Sequence, residues 1–192
     1  MERNTERLDN LLYFSLFSIY YNSVNFILYL IIYYNPSILL NELYDIIFSL
    51  ITLSLFILSI ISYLNFKNNS SMTILLLIYI LINFLLFFRY PYIVYNILIS
   101  ISSFSYFLIY YFIYKDLYKI LSFFKILKFY KIFNILNFIY FIINISKIFL
   151  RTFIISSFEY IIFLSIYSVI LFIILYKNIY ILIKKYSTYY VS

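Results

Sequence analysis

A single acidic side chain, that of Glu159, interrupts an apolar run near the C-terminal end of the sequence. The run covers residues 153–176 and carries no other charged residue. If it crosses a membrane, the carboxyl group is costly to bury and must be protonated, hydrogen-bonded or used to carry protons. Glu159 is therefore the candidate residue for a proton path, with a structural role in helix contacts as the alternative.

His, Cys and Gly are absent from the sequence, and this excludes most kinds of site chemistry. Without His or Cys, conventional haem, copper, zinc and iron–sulfur ligation is excluded, and so is a Ser–His or Cys–His nucleophile pair. Without Gly, the usual phosphate-cradling loops cannot form. The sequence therefore predicts no catalytic residue, no cofactor and no metal site, in a protein that is not an enzyme by itself.

The basic residues could also bind a ligand, and they give the chain a net charge of +7. In a soluble protein this charge would favour nucleic acid as a partner. Here the basic residues lie between apolar runs, so membrane orientation and anionic phospholipid explain them better, and we expect no nucleic-acid partner. The candidates for binding phospholipid headgroups, cardiolipin included, are Arg89, Lys125, Lys128, Lys131, Lys147 and Arg151. For Arg89, Lys147 and Arg151, the alternative is a simple anchoring role at the membrane surface.

The elements that must position these residues are transmembrane helices. The chain is 66% hydrophobic, with a mean hydropathy of +1.02, whereas soluble domains are about 45–50% apolar. A span needs about 20 mostly apolar residues. We therefore expect an all-α, polytopic transmembrane bundle that forms one domain over residues 1–192. Its predicted spans are residues 11–34, 46–66, 72–88, 92–114, 132–149 and 153–176.

The number of spans depends on residues 132–149, which contain Asn134, Asn137, Asn144 and Lys147. Five spans remain if this segment does not cross. If all six cross, both termini share one side of the membrane. Of the 14 basic residues, all but Arg89, Lys147 and Arg151 then lie on that side. The positive-inside rule predicts such a bias of basic residues to one side, so it favours six spans over five.

Residues 115–131 form a basic connection between the fourth and fifth predicted spans. At about 100° per residue its lysines spiral around a helix instead of forming one stripe. A helix lying flat on the membrane is therefore a poor fit. An extension of the fourth span, followed by a turn or by a helix contacted on several sides, fits better. At the start of the third span we expect Ser70 or Ser71 to cap the helix.

Most of the chain is built from Phe, Tyr, Ile, Leu, Asn, Ser and Lys, residues with codons rich in A and T. This composition resembles that of hydrophobic proteins encoded in ciliate mitochondrial genomes, among them divergent core and lineage-specific subunits of respiratory complexes. The resemblance implies a multi-pass protein of the mitochondrial inner membrane, with both termini in the matrix. The first ten residues mix both charge signs, unlike a transit peptide, so we expect an uncleaved start.

Two short segments resemble other membrane families. Leu150-Arg151, followed by Glu159, resembles the arginine helix of ATP synthase subunit a, although the Gly that accompanies it in that family is missing. Residues 91–96, Pro-Tyr-Ile-Val-Tyr-Asn, resemble a segment of the six-span membrane subunit of the twin-arginine translocase. The Trp, Pro and acidic positions that follow in that family are missing here.

The function expected from these observations is that of a non-catalytic membrane subunit of a respiratory complex. Such a subunit would support assembly, bind lipid or bridge other membrane subunits, which would be its partners. The alternatives are a divergent core proton-translocating subunit, of the complex I membrane arm or ATP synthase subunit a type, and a six-span transporter or translocase.

Overall fold

The computed structural model describes residues 2–35, 42–67, 69–86, 88, 91–149 and 157–188, and within them every regular element is an α-helix. The all-α fold class predicted from the sequence is therefore confirmed. The helices are α1 Glu2–Tyr34, α2 Glu42–Phe66, α3 Ser70–Leu85, α4 Tyr92–Phe123, α5 Leu127–Phe149 and α6 Ser157–Thr188.

The helices bury small polar side chains and expose large apolar ones. Ser18, Ser59 and Ser168 are fully buried. Each helix has large apolar side chains on its outer face, for example Ile27, Ile51, Leu77, Val94, Ile135 and Ile170. Large apolar side chains exposed on every helix mark contact with a membrane or with protein. Five of the helices are long and apolar enough to cross a membrane, so the chain is a multi-pass membrane protein.

The shortest helix is α3, whereas the sequence marks residues 132–149 as the least certain span. Residues 132–149 fall within α5, whose stretch Leu127–Ser146 is long and apolar enough to span. By contrast, the 16 residues of α3 cover about 24 Å at 1.5 Å per residue, less than the about 30 Å of a hydrocarbon core. The N-cap residue of α3 is Asn69 and not the predicted Ser70 or Ser71. The Asn69 side chain accepts a hydrogen bond from the Met72 backbone amide at 3.4 Å.

The closest backbone contacts divide the helices into two groups. Helix α1 packs against α2 and α6, and α4 packs against α3 and α5. Large rings fill the space between the groups. The Phe56 ring lies 4.5 Å from that of Tyr79 and 5.3 Å from that of Tyr106, and Tyr110 and Phe172 are 6.0 Å apart, all measured between ring centroids. These rings hold the two groups together in the middle of the bundle, and closer backbone contacts between α5 and α6 and between α2 and α3 join the groups at their edges.

Four serines are buried on α4: Ser100, Ser102, Ser103 and Ser105. The hydroxyl of Ser102 accepts a hydrogen bond from the Asn83 amide of α3 at 3.0 Å. Small side chains therefore lie where α4 meets its neighbours, as transmembrane packing favours.

A three-residue turn connects α4 to α5 and forms a helical hairpin. Lys125 has a φ of 58°, the left-handed conformation that glycine usually adopts after a helix. Its amide donates to the Ser122 carbonyl at 3.0 Å, and the Ile126 amide donates to the Leu121 carbonyl at 3.0 Å. This pair of bonds is a Schellman motif. Residues 115–131 are therefore the end of α4, this turn and the start of α5.

Most of the basic residues are at one end of the bundle. The Lys67 amine, which follows α2, contacts the Asp116 carboxylate late in α4. The Phe14 ring of α1 packs on Tyr63 of α2 and on Phe172 of α6. We call this end the basic end. The exposed basic residues located there are Arg7, Lys67, Lys115, Lys119, Lys125, Lys128, Lys131, Lys177 and Lys184.

Candidate functional site

Three helices are too long for the membrane and extend past it at the basic end. Helices α1, α4 and α6 have 33, 32 and 32 residues, and about 20 residues suffice to cross the hydrocarbon core. Apart from Glu159 of α6, their charged residues lie at the basic end, so the excess length lies there. We call the protruding part the helical cap. It comprises the first turns of α1, residues 115–131 of the hairpin and the last turns of α6.

The apolar core of the bundle continues into the helical cap. Leu117 and Leu121 of α4 and Ile179 of α6 are fully buried, and Ile126 of the turn is 4% exposed. All four belong to the same buried cluster as the membrane-level core. The cap is therefore a packed extension of the bundle, and its lysines lie on a fixed surface.

An ion pair joins the helical cap to the connection between α2 and α3. The Asp116 carboxylate accepts hydrogen bonds from the Lys67 amine at 2.6 Å, the Tyr63 hydroxyl at 3.0 Å and the Asn69 amide at 3.3 Å. Tyr63 is fully buried, whereas the Lys67 side chain is 49% exposed. Because Asn69 also caps α3, the carboxylate of α4 positions the start of that helix.

The most exposed part of the cap is the hairpin tip, which we define as residues 119–131. It contains Lys119, Lys125, Lys128 and Lys131, all exposed, and no acidic residue. Phe123, the last residue of α4, is 72% exposed. Aromatic side chains are enriched at protein interfaces, and charges of one sign steer a partner of the opposite sign to the surface that carries them. The tip can therefore bind an acidic partner through both charge and apolar contact.

A row of polar side chains follows the inner face of α5. Both polar atoms of Asn134 and of Asn137 are buried and have no hydrogen-bond partner within the described part of the chain, and the same holds for the Tyr130 hydroxyl and the Asn144 Nδ2. Their spacing of four, three and seven residues places them on one helix face. Two asparagines of other helices have partners: the side-chain amides of Asn22 and Asn178 each donate to the backbone carbonyl four residues earlier.

The structure describes the side chains of only some of the candidate residues predicted from the sequence. Lys125, Lys128 and Lys131 lie together on the hairpin tip. The backbone places Lys147 near the end of α5 and Glu159 in the first turn of α6, but their side chains lie outside the described residues. Arg89 and Arg151 also lie outside them. Among the residues the structure describes, no three His, Cys, Asp or Glu side chains are grouped to hold a metal ion.

The Asp116 contacts were not predicted from the sequence. Lys67 and Asp116 are 49 residues apart, and both lie in the segments between predicted spans, where the apolar pattern gives no information about contacts. One signal was present, since Asp116 is the only acidic residue within 115–131. An isolated acid among lysines near a membrane surface is a reasonable place to look for an ion pair.

The chain was compared with protein-family models, with characterised proteins and with solved structures, and none of them matches it.

Proposed function

We propose that the protein is a non-catalytic membrane subunit of a respiratory complex in the mitochondrial inner membrane, with its basic end in the matrix. Its role is to hold neighbouring membrane subunits together and to contact phospholipid. The mitochondrial and respiratory parts of the proposal rest on the compositional resemblance. The orientation rests on the concentration of basic residues at one end of the bundle.

The observation that carries the subunit role is the position of α3. This helix lies at the edge of the bundle, packing mainly against α4, and its outward residues Ile74, Leu77 and Leu81 are 59%, 62% and 59% exposed. A helix shorter than the hydrocarbon core is in mismatch with the bilayer, which association with another membrane protein relieves. The exposed face of α3 is therefore a suitable contact for a neighbouring subunit.

The test is purification of the tagged chain in a mild detergent, followed by native electrophoresis and mass spectrometry of the companions. We expect recovery with several inner-membrane respiratory subunits at a fixed stoichiometry. Recovery as a free monomer, or with translocase components alone, would refute the proposal.

The row of buried polar groups on α5 supports a second candidate function, the transport of protons or small neutral solutes. Unpartnered amides inside a membrane bundle are costly, and polar groups facing a bundle interior often mark a transport path. At membrane level the row runs from Asn134 to Asn144, about 15 Å at 1.5 Å per residue, which is about half the thickness of the hydrocarbon core.

Flux measurements separate the two functions. In liposomes containing the purified protein, a transporter gives solute or proton flux that Asn137→Leu abolishes. A non-catalytic subunit gives no flux above that of empty liposomes. In the intact complex, Glu159→Gln tests the proton-translocating alternative, which predicts lost pumping with assembly preserved.

A further inference from the structure

We propose that the hairpin tip docks on an acidic surface that a neighbouring subunit presents outside the membrane. The inference rests on the proposed function, because it requires that the chain be part of a complex. It identifies a second contact, separate from the membrane-level face of α3, and it specifies the chemistry of the partner.

The position of Phe123 places this contact beyond the lipid. The uncharged stretch 92–114 of α4 fills the hydrocarbon core, and Lys115 is its first charged residue. Phe123 follows eight residues later, about 12 Å further along the helix at 1.5 Å per residue. The headgroup layer is about 5–8 Å thick on each side. Acyl chains therefore cannot cover this ring, which is 72% exposed.

The charge of the tip determines the kind of partner. Lys119, Lys125, Lys128 and Lys131 are exposed on the same hairpin tip as Phe123, and residues 119–131 include no acidic residue. A surface of one sign repels partners of the same sign and attracts the opposite one. A segment that combines an exposed aromatic side chain with exposed charged residues has the composition of an interface anchor with a polar rim. The complementary surface is acidic, with an apolar recess for the ring.

The tip is also held rigidly enough to dock without much ordering cost. The Schellman bonds fix the turn, and Ile126 packs into the apolar interior of the cap. At the start of α5, the Tyr130 ring is fully buried and stacks on Tyr114 of α4 at 5.9 Å between centroids. Preorganisation of this kind reduces the entropy lost on binding.

Carbodiimide crosslinking of the intact purified complex tests the proposal, because it joins a lysine amine to a carboxylate only when the two are in contact. We expect crosslinks from Lys125 or Lys128 to Asp or Glu residues of a different chain, identified by mass spectrometry. A Phe123→Ser variant should lower the yield of these crosslinks by about tenfold or more, as loss of an interface anchor does. A Lys125→Glu/Lys128→Glu variant lacks the two reacting amines, so its readout is the yield of crosslinks from the remaining tip lysines, Lys119 and Lys131, to the same neighbour, which should fall by a similar factor.

The matched control is Lys177→Glu, which reverses an exposed charge on α6 outside the tip. Its crosslink yield between the tip and the neighbour should equal that of the unaltered protein. Thermal unfolding of each variant in detergent should match that of the unaltered chain, which separates lost docking from lost folding.

Three outcomes would overturn the proposal. The first is an intact complex in which the tip lysines crosslink only within their own chain. The second is binding of the protein to phosphatidylcholine vesicles that contain cardiolipin, lost in Lys125→Glu/Lys128→Glu, without crosslinks to a neighbour, because the tip would then bind lipid. The third is a chain that purifies alone, which would overturn the proposed function as well. The first two leave the proposed function intact.

Discussion

At the scale of single residues, Lys125 shows how this chain manages without glycine. A left-handed conformation costs a residue with a side chain roughly 1–2 kcal/mol, because its Cβ approaches the carbonyl oxygen. The chain tolerates this cost because the Schellman bonds and the burial of Ile126 stabilise the turn. The spiral of lysines predicted a turn or a continued helix in this region, but it did not predict which residue would be left-handed.

Replacing Lys125 with Gly should therefore stabilise the protein by about 1 kcal/mol, since Gly adopts the left-handed conformation without strain. The measurement is the midpoint of thermal unfolding in detergent. Lys125→Ala is the control, because it also removes the charge but retains the Cβ, and it should show no such gain. Equal gains for both variants would mean that relief of charge repulsion explains the effect.

Asp116 is the residue whose substitution should destabilise the cap most clearly. Asp116→Leu leaves the buried Tyr63 hydroxyl without its acceptor, and an unpaired buried polar group costs about 1–3 kcal/mol. Lys67→Met should cost less than about 1 kcal/mol, because the amine is half-exposed and its ion pair is screened by water. Unfolding midpoints at low and high salt measure both effects.

The stability lost in Lys67→Met should become smaller as salt is raised, because salt screens the ion pair, whereas the cost of the unpaired Tyr63 hydroxyl should not change. If Lys67→Met proved more destabilising than Asp116→Leu, the buried hydroxyl would not be the main group that the carboxylate stabilises.

At the scale of the helices, length distinguishes elements that look alike in composition. The apolar runs predict helices well, because lipid imposes an apolar exterior and intrahelical hydrogen bonds on any spanning segment. They do not predict which face of each helix is buried, since these runs are apolar on nearly all sides. Because the sequence did not show which face of α5 is buried, its asparagines counted against residues 132–149 being a span. In the structure Asn134 and Asn137 face inward, and the short helix is α3.

The exposed face of α3 should matter for assembly more than an equally apolar face of α5. Leu77→Ala/Leu81→Ala should weaken retention of companion subunits on native gels, because it removes side chains from a contact between proteins. Ile135→Ala/Ile139→Ala changes residues that are also exposed on α5, and it should leave the complex unchanged if they face lipid. Equal effects of the two double variants would argue against α3 as the contact.

At the scale of the whole molecule, orientation is the property that the charges predict most directly. Lys and Arg concentrate at the end where α4 meets α5, and under the proposed function the positive-inside rule predicts that this end faces the matrix. The chain contains no Cys, so single introduced thiols can be labelled without background. Ser122 is exposed on the cap, and Tyr34 is exposed near the opposite end.

Labelling with a membrane-impermeant maleimide tests the orientation in mitochondria stripped of the outer membrane. Tyr34→Cys should react in the intact inner membrane, and Ser122→Cys should react only after the membrane is permeabilised. The reverse pattern would place the basic end outside the matrix.

The sequence by itself determined that this protein is a helical membrane bundle and where most of its helices lie, because burial in lipid constrains each segment locally. It also determined the charge bias, which depends only on the order of spans and loops. Only the tertiary structure decided that Lys67 meets Asp116, that the asparagines of α5 face inward, and that α1, α4 and α6 extend into a packed cap. These features depend on contacts between distant segments and on relative helix lengths. The residues of a uniformly apolar helix do not specify which distant segments it contacts or how far it extends past its neighbours.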